Sequence, residues 1–194
     1  WALCQRYDIL LVNDECYADV YDAEPPASLL EVAPRGALVM HSLSKRSGVT
    51  GYRSGFMAGA PEAIAALYTL RVNPGLAPQD MINAAATVAW AEDTHPEERR
   101  ALLREKKALF RSFFEELGLE LVASEATFYL WFKPPPGLSD EDYALGLLEH
   151  GIVVSPGRYF GVDGGGGGYV RVAMVPPLAQ CREAIAVWRE AHTE

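Results

Sequence analysis

Two short, wholly apolar runs, each ending abruptly on polar residues, constrain this chain more than anything else in it. Ile9-Leu10-Leu11-Val12 runs into Asn13-Asp14-Glu15, and Ala37-Leu38-Val39-Met40 runs into His41-Ser42-Leu43-Ser44-Lys45. A continuous apolar run bounded by polar residues suits a strand buried on both faces of a parallel sheet, and so predicts an α/β fold. Ligands in open α/β sheets bind beyond the carboxyl ends of the strands. Asp14 and the Ser42–Lys45 segment therefore fall where a site is expected. A third stretch, Ser54 to Ala58, is small and apolar between Arg53 and Gly59 and reads as a further strand.

Helical patterns frame these runs. Trp1 to Tyr7 reads as the end of a helix. Pro61-Glu62 opens another to about Arg71, broken by Asn73-Pro74-Gly75. Pro78 at a first-turn position starts the next, through about Glu92. Pro96 to Leu117 follows, with Leu102, Leu103, Leu109, Phe110, Phe113 and Leu117 at core spacing and Gly118 as its stop. Its other positions (Glu97, Glu98, Arg99, Arg100, Arg104, Glu105, Lys106, Lys107) read as a solvated face. Beyond Gly118 the texture is that of a smaller α+β unit. Strands are expected at Leu119–Val122, Thr127–Phe132, Ile152–Val154 and Tyr169–Met174. Ser139 caps a helix through Glu149, with Asp142 as its capping-box partner. Gly161–Gly168 reads as a flexible loop, and Leu178–His192 as an amphipathic terminal helix.

The composition excludes several classes of function. Asp and Glu outnumber Lys and Arg 26 to 17, a formal charge of −9, whereas a nucleic-acid partner needs a basic face. Cys4, Cys16 and Cys181 form neither a disulfide framework nor a CxxC motif, which points to a reducing, cytoplasmic setting. No run approaches the ~18 apolar residues of a membrane helix, and no secretory signal is visible. His41, His95, His150 and His192 lack metal-ligand spacing, so no metal is expected. The chain starts at Trp1, already within a helical pattern, and reads as a piece of a longer protein.

Four blocks carry the chemistry: Asn13-Asp14-Glu15-Cys16-Tyr17, His41-Ser42-Leu43-Ser44-Lys45-Arg46-Ser47, Gly51-Tyr52-Arg53-Ser54-Gly55 and Tyr169-Val170-Arg171-Val172-Ala173. Singly, each polar residue has an ordinary reading as a cap, a surface charge or an ion-pair partner. In this order and spacing the four blocks resemble fold-type-I, pyridoxal-5'-phosphate (PLP)-dependent aminotransferases of the aspartate aminotransferase superfamily. The likeness covers essentially the whole chain, and the S-x-S-K-x7-R-x-G block is its most specific part. It implies the C-terminal part of that α/β transferase fold. Residues 1–75 would be the end of the large PLP-binding domain, 76–118 the interdomain helices, and 119–194 the small α+β C-terminal domain.

The resemblance also implies a role for each matching residue. Lys45 would hold the cofactor as a Schiff base and then shuttle a proton between the substrate α-carbon and the cofactor, which requires an amine that deprotonates readily. Asp14 would face the pyridine nitrogen and keep it protonated. Tyr17 would hydrogen-bond the cofactor's ring oxygen. Ser42 and Arg53 would bind the phosphate, and Arg171 would take the substrate α-carboxylate as a bidentate fork. The family's stacking aromatic, glycine-rich phosphate loop and ring-oxygen asparagine lie upstream of the aspartate. Only thirteen residues precede Asp14, so weak cofactor binding and no turnover are expected of this piece alone.

His41–Ser47, Phe128–Trp131 and Pro156–Gly161 are most similar to the N-succinyldiaminopimelate aminotransferase group of lysine biosynthesis. That group exchanges amino groups between glutamate and N-succinyl-2-amino-6-ketopimelate. Such acidic amino-acid and keto-acid substrates would want cations beyond Arg171; Arg46 and Arg158 are available, or are ordinary ion-paired arginines. The resemblance implies a homodimeric parent with no nucleic-acid or membrane partner. Other activities on the same scaffold remain open: a carbon–sulfur lyase, a decarboxylase, an aromatic or alanine aminotransferase, or a ligand-sensing domain of a transcription regulator.

Overall fold

The computed structural model describes residues 1–33, 35–72, 74–75 and 77–193. The chain forms two compact units, Trp1–Arg100 and Ala101–Glu194. Asn73, part of the expected helix break, lies outside the described residues.

The first unit is built on a three-stranded sheet in the order β1-β2-β3 (Leu11–Asp14, Ala37–Ser42, Gly55–Gly59). β1 and β2 run parallel, with Leu11 opposite Ala37 and Asp14 opposite Met40. β3 returns antiparallel to β2, with Ser42 opposite Gly55. Two glycines make that return possible: a Cβ at Gly55 would lie 2.3 Å from the His41 carbonyl oxygen, and one at Gly59 would lie 2.0 Å from that of Ala37.

The two apolar runs fare differently. β2 is buried at Ala37, Leu38 and Val39. β1 is an edge strand, and Ile9, Leu10 and Val12 are 54, 49 and 45% exposed. The expected burial on both faces therefore holds for β2 alone, because no strand among the described residues pairs with the outer side of β1. Helices α1 (Ala2–Arg6), α2 (Leu29–Val32) and α3 (Leu43–Arg46) punctuate the strands, and α4 (Pro61–Val72) and α5 (Asp80–Ala91) follow them. Ser28 caps α2 in a full capping box with Glu31. Pro78 stands just ahead of α5, whose N-cap is Gln79, so it precedes the first turn instead of occupying it.

Helix α6 (Thr94–Leu117) crosses the division between the units. The second unit is an antiparallel sheet in the order β4-β5-β7-β6 (Leu121–Ala123, Tyr129–Phe132, Val170–Ala173, Ser155–Pro156), with α7 (Asp140–Glu149) and α8 (Leu178–Thr193). Trp188 is its centre, packed among Phe110, Phe113, Phe114, Phe132 and Tyr143, with its indole N–H donating to the Tyr143 hydroxyl at 2.8 Å. The aromatic cluster buries large apolar area while pairing its two polar groups with each other.

Two expectations are overturned here. Ile152–Val154 is not a strand; pairing with β7 begins only at Ser155. Within the exposed Gly161–Gly168 loop, Gly166 packs closely on Gly157, where a Cβ would lie 2.2 Å from the Gly166 carbonyl oxygen. Lys106 and Lys107 are buried, not solvated. Helical spacing places them beside Leu103 and Phe110, and their stems lie along the core while the ammonium groups donate to the carbonyls of Met174 and Ser124.

Candidate active site

Asp14 is the last residue of β1 and Ser42 the last of β2, so the carboxyl ends of two neighbouring parallel strands each deliver a functional group. Asp14 accepts from the Cys16 amide at 3.0 Å, forming a short polar turn. Hydrogen bonds from the Cys16 thiol and amide, joined by the charge of His41, hold its carboxyl below the usual aspartate range. It is thus an ionised group at the strand end, suited to face a cation.

Ser42 caps α3, its hydroxyl accepting from the Ser44 amide at 3.1 Å. That cap starts a single helical turn carrying Lys45, whose ammonium stands over the Tyr17 ring at 5.6 Å from its centroid. The same ammonium acts electrostatically on Cys16, whose thiol is pushed up to about 11 by burial and by Asp14. Asp14, Cys16, Tyr17 and Lys45 thus form one neighbourhood.

Arg53 closes the turn Thr50–Tyr52 with φ 51° and ψ 41°, and its guanidinium donates to the Thr50 carbonyl at 3.1 Å. A side chain in the left-handed region costs on the order of 1 kcal/mol. Such strain is retained where the backbone must aim a group.

Arg171 lies in the second unit, on β7. Its guanidinium carbon is 4.1 Å from the Tyr129 ring centroid and 3.9 Å from that of Phe160. With both faces covered by rings, the N–H edges are what it offers to a ligand. No carboxylate among the described residues pairs with it.

Arg46 and Arg158 are committed elsewhere. Buried Arg46 donates to Asp19 at 2.8 Å and Asp93 at 2.6 Å. Arg158 is bound to Asp140 at 2.9 Å and Glu141 at 2.6 Å. Of the two readings open from the sequence, both arginines take the ion-paired one.

The sequence pattern did not single out the layer behind Asp14. Glu15, on the opposite face of the chain, is buried, and accepts from the Leu29 amide at 2.7 Å, Ser28 at 3.2 Å and Asn13 at 3.0 Å. Its other oxygen meets His41 Nε2 at 3.2 Å. Burial alone would push the Glu15 carboxyl up, but these donors outweigh it and hold the group below its ordinary value. His41 stacks on Phe56 at 4.9 Å and meets Trp90 edge-on. An acid directly after a strand-end aspartate is the available signal, and only strand register reveals its partner.

Comparison with known proteins places these features in a lineage. The model of "Aminotransferase class I and II" matches residues 1–187. The chain belongs to the class I and II aminotransferase family. Enzymes of this family depend on PLP. The chain is similar to the LL-diaminopimelate aminotransferase of Aquifex aeolicus, 34% identical over 189 residues, covering 95% of this chain and 48% of that protein. Among solved structures it is similar to an aminotransferase from Neisseria meningitidis, with TM-score 0.89 and 31% identity over 98% of this chain and 51% of the other. A probable N-succinyldiaminopimelate aminotransferase from Thermus thermophilus aligns with TM-score 0.84 and 31% identity, over 98% and 52%. The chain spans about half the length of the curated relatives it matches.

Proposed function

We propose that this chain supplies the lysine-bearing half of a PLP-dependent aminotransferase that moves an amino group between glutamate and an acidic keto acid of the diaminopimelate type. The observation that carries this reading is the neighbourhood of Asp14, Tyr17 and Lys45 at the carboxyl end of β1 and on the first turn after β2. These residue types fit the cofactor: a held-down carboxylate for the pyridinium end, an amine for the aldehyde, and a hydroxyl and guanidinium for the phosphate.

Each residue then has a defined task. Lys45 would hold the cofactor through its amine and would take the proton from the substrate α-carbon. Asp14 would face the pyridine nitrogen and favour its protonated form. Bound PLP supplies the electron sink for the electrons left at the α-carbon. Tyr17 would donate to the cofactor's ring oxygen, and Ser42 and Arg53 would hold its phosphate. Arg171, its faces covered by Tyr129 and Phe160, orients the substrate α-carboxylate.

Residues 1–75 belong to the large domain of the parent in this reading, 76–118 to the interdomain helices and 119–194 to the small domain. The parent is a cytoplasmic homodimer acting on small amino and keto acids. N-succinyl-2-amino-6-ketopimelate is one acceptor that fits. The name of the Aquifex relative favours a second reading, with LL-diaminopimelate itself as the amino donor. The experiment is an amino-transfer assay of the parent protein with glutamate against each keto acid, run beside assays for pyruvate and sulfide release. Transfer to a diaminopimelate-type acceptor supports the proposal; release of pyruvate or sulfide without transfer overturns it.

A further inference from the structure

A second cluster of reactive side chains lies within the first unit and has no task in amino transfer. Ser47, directly after α3, has its Oγ 2.8 Å from Nε2 of His95. Nδ1 of the same ring is 2.6 Å from a carboxylate oxygen of Glu92. In the tautomer whose Nδ1–H donates to Glu92, Nε2 is left to accept the Ser47 proton. This is the relation of a nucleophile, a base and the group that orients the base.

The orienting group is itself fixed. Glu92 accepts from the Thr94 amide and, at 3.3 Å, from that of His95. Hydrogen bonds from Thr94 and His95 hold its carboxyl down to about 2. Capping α6 with a carboxylate on its first amides explains those two contacts. It does not explain an imidazole standing between that carboxylate and a hydroxyl from a distant segment.

Acyl transfer also needs donors where the oxyanion develops. The amide following the serine, that of Gly48, donates to no acceptor among the described residues. Gly48 has φ +72°, and a Cβ there would lie 2.6 Å from Arg99 Nη1, so a guanidinium lies beside this peptide. The His95 and Glu92 side chains are 30 and 43% exposed, which leaves the cluster open to a small substrate.

We propose that Ser47, His95 and Glu92 form a separate hydrolytic site for small carboxylic esters, with the Gly48 amide and Arg99 facing the oxyanion. Ser47 Oγ bonds to the ester carbonyl carbon as its proton passes to His95 Nε2. The bond to the leaving alcohol breaks, and His95 returns that proton to the departing oxygen. Water then adds to the acyl-serine by the same proton route, and the carboxylic acid is released with the serine restored.

The test treats the 194-residue chain with an alkyl fluorophosphonate, which phosphonylates activated serines with loss of fluoride, and maps the adduct by mass spectrometry. The expected result is one adduct, on Ser47. His95→Asn keeps an amide donor towards Glu92 but removes the base, and should slow labelling at least about 100-fold. Ser47→Ala should abolish p-nitrophenyl acetate hydrolysis by the same site. No adduct on Ser47 in the unaltered chain, or equal labelling rates with and without His95, overturns the proposal. Either outcome leaves the aminotransferase reading untouched.

Discussion

A guanidinium clasped between two rings has already lost much of the rotamer freedom that ligand binding would otherwise remove. Arg171 is held so by Tyr129 and Phe160. Phe160→Leu should move the Arg171 side-chain proton resonances downfield, as ring-current shielding is lost, while the β5–β7 ladder persists. It should also weaken 2-oxoglutarate binding about two- to five-fold, the worth of one exposed cation–π contact of ~0.5–1 kcal/mol, read by titrating the Arg171 Nε–H signal. Unchanged resonances would show that the ring is not on the guanidinium. Asp14, Lys45, Arg53 and Arg171 stand out in the sequence because each sits in a spaced block whose order is itself informative. The Glu15–His41 pair does not, because it links neighbouring strands through register. The commitments of Arg46 and Arg158 were hidden for the same reason: their carboxylate partners come from distant turns and helix ends.

Elements were read well where periodicity is long and poorly where burial depends on neighbours. Helices α6 and α8 follow their apolar spacing, α4 follows its Pro61 start, and Gly118 ends α6 with φ +69°. The Ile9–Val12 run did not reveal that β1 lies at an edge, since an apolar run records what a strand can bury and not what this chain offers it. At the start of α7, Asp140 is 1% exposed, and it accepts from the Arg158 side chain and amide and from the Gly168 amide. The Arg158 hydrogen bonds, chiefly, hold its carboxyl far below the usual aspartate range. A folded-state pKa depressed in this way contributes stability above the unfolded value of about 4, and that contribution is lost as pH falls from there towards the folded value. Asp140→Asn should therefore destabilise the chain at pH 7 by roughly the 1.5–3 kcal/mol of a hydrogen bond to a charged group, since Arg158 and the Gly168 amide lose a charged acceptor while Arg158 keeps Glu141. The difference from the unaltered chain should shrink steadily below about pH 4. Urea unfolding followed by tryptophan fluorescence at several pH values checks both; a pH-independent difference would contradict the assignment.

At the scale of the whole molecule, the chain aligns along almost its full length with about half of each similar aminotransferase. The chain spans about half the length of the relatives it matches, so if the other half supplies part of the cofactor site, the purified chain should bind PLP weakly and show no turnover with glutamate and a keto acid. Robust transamination by the chain alone would contradict that division of labour. The most direct test of the central assignment uses its four lysines: Lys45, Lys106, Lys107 and Lys133. Lys106 and Lys107 are buried on backbone carbonyls, and Lys133 is paired with Glu120 at 2.8 Å. The chain is incubated with excess PLP, reduced with borohydride, and mapped by mass spectrometry. The account predicts that the pyridoxyl group concentrates on Lys45 and that Lys45→Ala removes it without a compensating gain at the other three. Label on Lys133 at a level equal to or above that on Lys45 would contradict it.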